Sequence, residues 1–193
     1  MKKSTTASAV LFSALTFIPT LAHAHPGHGA GFASGVAHPL LGLDHVLAMV
    51  AVGLWAAQLG GRARWVVPTS FVSVMMLGSA LGMAGVTMPL VEPAILCSVV
   101  ILGLLIATAA RLPLAASVVL VGCFAAVHGL AHGAELPANA SGVTYTAGFA
   151  LATAVLHAAG FALAGTLQRM AATGWVRVVG AAVAICGLML VVG

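Results

Sequence analysis

The chain has 193 residues, 62% of them hydrophobic and only 5% charged, with a mean hydropathy of +1.17. A composition that apolar excludes a soluble protein and leaves a polytopic membrane protein. The formal charge of +4 does not signal a nucleic-acid partner, because the basic residues stand singly between long apolar runs and build no patch for phosphates.

The N-terminus carries Lys2 and Lys3, an apolar stretch from Ala7 to Leu21 and then "AHA" at 22–24. This is the charged, apolar and small-residue pattern of a secretory signal peptide, expected over residues 1–24 with cleavage after Ala24. A periplasmic tail with His25 and His28 would follow over 25–35, ahead of one transmembrane domain over 36–193.

A span needs about 20 mostly apolar residues. Six runs meet that length: Val36 to Leu59, Trp65 to Ala84, Pro89 to Ala110, Leu114 to His132, Val143 to Leu167, and Trp175 to Val192. The fold expected is an all-α membrane protein, a bundle of six transmembrane helices after a signal peptide. With the N-terminus outside, the first, third and fifth connections face inward. They and their flanks hold every arginine of the chain, Arg62, Arg64, Arg111, Arg169 and Arg177, as the positive-inside rule requires. The location expected is a bacterial inner membrane, with the mature N-terminus periplasmic and lipid around the bundle. Trp55, Trp65 and Trp175 fall near the inner ends, where interfacial aromatics sit. Gly78 with Gly82, and Gly129 with Gly133, are small-xxx-small pairs that allow close helix contact.

Cys97, Cys123 and Cys186 are odd in number and far apart, so they form neither a disulfide framework nor a C-x-x-C site, and read as small buried hydrophobes. Met49 reads as core filling, and Glu92, just before Pro93, as a solvated helix end.

The polar residues gather in two motifs. "HPLLGLDH", residues 38–45, opens the first span with His38, Asp44 and His45, the two histidines seven apart on one helical face. Asp44 lies off that face, toward a neighbouring helix or a histidine there. "HGLAHGAE", residues 128–135, closes the fourth span with His128, His132 and Glu135 on one stripe. The two spans are antiparallel, so a motif opening one and a motif closing the other share a membrane level. At 1.5 Å per residue, Asp44 and His45 lie about 13 Å below the outer boundary, His128 about 10 Å and His157 of the fifth span about 20 Å. A ladder results: Glu135, His132 and His38 at the mouth, then His128, His45 and Asp44, then His157.

An aspartate near the middle of a span costs about 3 kcal/mol on insertion scales, and intramembrane ionisable residues mark ion or substrate paths. Imidazoles with one or two carboxylates and no thiolate suit a borderline divalent metal, nickel, cobalt or zinc. The ligand types do not choose among these. The partner expected is therefore a divalent transition-metal ion, carried as substrate, with no bound cofactor.

"HPLLGLDH" followed by "VLAMVAVGLWA", with "HGLAHGAE" and then "LHAAG" in the fifth span, resembles the HupE/UreJ family of nickel permeases from about Val36 to the C-terminus. The resemblance implies six helices after a signal, and uptake of nickel(II), in some members cobalt(II), for hydrogenase or urease maturation. It carries the functional role onto His38, Asp44, His45, His128, His132 and Glu135.

The chain has no G-x-x-x-x-G-K-[ST] to hold ATP, which leaves a secondary transporter or a facilitated-diffusion permease. It has no H-E-x-x-H, and Ser79 lacks a partner, so no enzyme is expected. The competing class is a haem-binding membrane electron carrier with paired axial histidines, which leaves Asp44 and Glu135 without a purpose.

Overall fold

The computed structural model describes residues 30–137, 140–169 and 173–192. The signal segment, its cleavage site, His25 and His28 lie outside them. The described residues form seven helices: α1 (Ala30–Leu41), α2 (Leu43–Leu59), α3 (Ala63–Met83), α4 (Val91–Thr108), α5 (Leu114–Ala134), α6 (Gly142–Arg169) and α7 (Thr173–Val192). Five are long and apolar enough to cross a membrane, and α1 with α2 makes a sixth if counted as one span. Residues 30–35, expected in the N-terminal tail, are the first turns of α1.

The first expected span is not a continuous helix. It bends by 84° between α1 and α2. Pro39 lies inside α1 and gives no backbone N–H, and Gly42 is extended, with φ −93° and ψ 116°. The Gly42 carbonyl then accepts the N–H of Val46 at 3.0 Å and starts α2. Gly35 of α1 faces Tyr145 and Phe149 early in α6, whereas Gly53 of α2 faces His157 and Phe161 later in α6. The chain thus advances about 18 Å along one neighbour, at 1.5 Å per residue. That is the course of a broken span, not of a loop doubling back. Irregular backbone at membrane depth survives only where protein or a polar cavity surrounds it.

The remaining helices pair through small residues. α3 and α5 run parallel with Gly78 and Gly82 against Gly129 and Gly133, and a methyl on Gly78 would lie 2.7 Å from the Ala126 carbonyl oxygen. In lipid, such close approach replaces the hydrophobic drive that water supplies elsewhere. α4 packs antiparallel on α7, with Gly103 against Ala184. Met49, Trp55, Phe71, Met75 and Phe149 fill the centre and are fully buried.

α4 ends on Ala109 in the left-handed region, at φ 54°. Three side chains satisfy its last carbonyls: Gln58 Nε2 donates to Ile106 O at 3.1 Å, Arg177 Nε to Ala107 O at 2.8 Å and Trp55 Nε1 to Ala110 O at 3.1 Å. Trp55 is therefore a buried cap and not an interfacial anchor, while Trp65 and Trp175 are exposed as interfacial aromatics are. The cysteines also differ from expectation. Cys97 and Cys123 are exposed and Cys186 is half-buried. A lipid-facing surface accepts an apolar side chain without cost, so apolar surroundings in the sequence do not separate inside from outside.

Candidate metal site

The break at Gly42 builds half of the site. His38 sits in the last turn of α1, and Asp44 and His45 open α2. The other half comes from the end of α5, where His128 and His132 lie one turn apart on the buried face and Glu135 follows the last helical residue, Ala134. His38 and His45 therefore do not share a helical face; they belong to two helices, with ring centroids 6.3 Å apart.

At the mouth, His38 Nε2 lies 2.9 Å and His132 Nδ1 3.8 Å from Glu135 Oε2. One candidate ligand atom from each of His38, His132 and Glu135 falls within 4.8 Å of the others. Deeper, the His45 ring is 4.4 Å from that of His132 and 5.4 Å from that of His128. His132 thus belongs to the mouth trio and also packs against the His45 ring, with His128 on the far side of His45's contacts as the next imidazole inward. The side chains of Glu135 and His38 are 57% and 34% exposed, that of His45 13% and that of His132 0%, so the series runs from solvent inward.

The outer nitrogens of the deeper rings are already held. His45 Nδ1 lies 2.8 Å from Asp44 Oδ1, and His128 Nδ1 2.9 Å from the Phe124 carbonyl oxygen. Both oxygens accept, so each neutral ring donates from Nδ1 and leaves a bare lone pair on Nε2. Metal-ligating histidines are held in this way, with one nitrogen on a carboxylate or carbonyl and the other free. His45 Nε2, His128 Nε2 and both nitrogens of His132 are buried with no hydrogen-bond partner. An unsatisfied buried polar atom costs about 1–3 kcal/mol. Asp44 corrects its expected placement: it orients the histidine next to it in sequence, not one on a neighbouring helix.

His157 stands apart. Phe71 packs edge-on to it, with ring centroids 5.2 Å apart, and against His128, at 5.6 Å, so one aromatic ring touches both imidazoles. His157 is buried and both its ring nitrogens lack partners. Phe71 carries no mark in the amino-acid order, since an apolar ring in an apolar helix has no distinguishing pattern. Glu92 is, as expected, an exposed residue in the first turn of its helix. It also lines a 440 Å³ cavity with Asp44, His45 and Glu135, which gathers all three acidic residues of the chain.

Apolar helices around imidazoles and carboxylates that run from solvent into the bundle define a multi-pass membrane protein with an intramembrane polar cluster. Comparison with known proteins makes this more specific. Residues 13–190 match the family model described as HupE / UreJ protein. The chain is 46% identical over 177 residues, 91% of its own length and 93% of the relative's, to Protein HupE of Rhizobium leguminosarum bv. viciae. The chain belongs to the HupE/UreJ family, a transporter family associated with nickel or cobalt uptake for hydrogenase or urease. No solved structure matches it.

Proposed function

We propose that this protein takes up a divalent transition-metal ion, nickel(II) first among them, across the bacterial inner membrane by facilitated diffusion or secondary transport. The supply serves hydrogenase or urease. The observation that carries this reading is the trio His38, His132 and Glu135, whose candidate ligand atoms lie within 4.8 Å of one another, with the free Nε2 atoms of His45 and His128, each ring anchored through Nδ1, in the adjacent rings. Nitrogen ligands of this kind suit nickel, cobalt and zinc over magnesium or calcium.

The hydrated ion collects in the cavity ringed by Asp44, Glu92 and Glu135. It exchanges water for His38, His132 and Glu135, then passes to His45, His128 and His132. Asp44 orients His45 and stabilises the charge the ring acquires on ligation. His157, beyond Phe71, receives the ion on the inner side. The arginine-bearing ends face the cytoplasm, and an inside-negative potential of 100 mV contributes about 2.3 kcal/mol per charge. A dication thus gains about 4.6 kcal/mol, enough for roughly a thousandfold accumulation with no coupled ion.

The test is radiolabelled nickel uptake by cells expressing the chain, with cobalt and zinc as competitors. Nickel uptake above the vector control, lost in His45→Ala and His128→Ala variants that insert normally, is the expected result. Parental uptake in both variants overturns the site. An absorption spectrum of the purified protein with haem bands would favour the electron-carrier alternative.

A further inference from the structure

The two ends of the bundle carry opposite chemistry. All three acidic side chains line the mouth cavity. At the other ends of α2, α4 and α6, a second cavity of 310 Å³ is lined by Arg111, Arg177, Gln58 and Gln168. From Asp44 to Gln58 along α2 is about 21 Å, so no acidic side chain of this chain reaches the second cavity. The last described residue, Val192, lies about 22 Å beyond Arg177 along α7, directed away from it.

Two arginines therefore line one cavity with no acidic side chain of the described residues beside them. Arginine stays charged at any physiological pH and its planar fork fits the oxygens of a phosphate. Arg177 is oriented: its Nε is fixed on Ala107 O at 2.8 Å, leaving its two terminal nitrogens for another partner. Arg111 makes no ion pair or side-chain hydrogen bond among the described residues. The neighbouring Gln58 is held by its Nε2 on Ile106 O at 3.1 Å, and its Oε1 is buried without a partner. Like charges placed together cost energy unless a counter-charge sits with them.

We infer that this cavity is a phosphate-oxyanion site, occupied by the headgroup of an anionic phospholipid of the surrounding leaflet or by free phosphate. A phosphate there ties together the ends of α2, α4, α6 and α7, and α2 is the helix that carries Asp44 and His45. The inference concerns the arginine end alone and does not depend on which ion is transported.

The test uses the purified full chain in a neutral detergent, titrated separately with phosphatidylglycerol, phosphatidylcholine and inorganic phosphate. Thermal unfolding and native mass spectrometry report stabilisation and bound lipid. Arg111→Gln removes one guanidinium without breaking an internal bond, and Arg62→Gln removes an exposed charge outside the cavity. The expected result is stabilisation and a retained adduct with phosphatidylglycerol but not phosphatidylcholine, unchanged in Arg62→Gln and about fivefold weaker in Arg111→Gln. Stabilisation by millimolar phosphate without phosphatidylglycerol, again weakened in Arg111→Gln, identifies a soluble ligand at the same site. Equal binding of the two lipids with no phosphate effect, or equal behaviour of the two variants, overturns the inference.

Discussion

Asp44 accepts a hydrogen bond from His45, its neighbour in sequence, with Oδ1 2.8 Å from Nδ1, and the same oxygen accepts the His45 backbone N–H at 2.9 Å. The carboxylate is thereby turned toward its own histidine and away from the ring's free Nε2. Asp44→Asn keeps the shape but loses the charge that makes the ring a better ligand. Losses of such supporting groups weaken metal affinity about 10–100-fold. The half-saturating nickel concentration in uptake should rise by at least about tenfold, with insertion unchanged. Unchanged half-saturation would mean that Asp44 serves folding alone.

Protonated imidazole has no lone pair for a metal. Protons and metal therefore compete for the same imidazole nitrogens, so acidifying the outside lowers uptake. Uptake measured at fixed membrane potential should fall as the outside is acidified and recover at higher nickel. An increase on acidification would point instead to proton-driven symport.

Gly42 is a steric requirement more than a conformational one. Its backbone angles are open to alanine, yet a methyl there would lie 2.7 Å from His45 Nδ1 and 2.8 Å from Asp44 Oδ1. Gly42→Ala should leave helix content intact and reduce uptake through the displaced pair. Combined with Asp44→Asn, the loss should be much less than additive, because both changes act on one hydrogen bond. Full additivity would assign the effect to the bend itself.

Glu92 is exposed and lines the cavity in front of the histidines. A charge so placed concentrates cations and acts on the rate of capture. Glu92→Gln should lower uptake at limiting nickel by about two- to fivefold at low ionic strength and little at 0.5 M salt, where screening lengths shrink to a few ångströms. A salt-independent loss of maximal rate would make Glu92 a ligand in the path.

Much of this arrangement could be read from residue order alone. The lengths of the apolar runs located the helices to within a few residues, because 20 apolar residues have few other uses. The shared level of the two motifs followed from antiparallel spans, and the proximity of His38 to Glu135 is its outcome. The break at Gly42 was not legible, since proline and glycine are common in intact membrane helices and "HPLLGLDH" loses no hydropathy there. The partners of Asp44 depended on that break. Trp55 and the cysteines misled for another reason. In lipid both faces of a helix are apolar, so periodicity no longer tells inward from outward.

If the protein carries metal as proposed, the place of His132, in the mouth trio and 4.4 Å from the His45 ring, limits how traffic can move. A neutral imidazole has one lone pair to give, so His132 serves one ion at a time. A second ion arriving at the mouth must queue until the first has gone inward and cannot push it, unlike the crowding by which multi-ion pores expel their contents. On this reading throughput levels off early as the external metal rises, and the protein delivers a scarce nutrient steadily without flooding the cell when it becomes abundant.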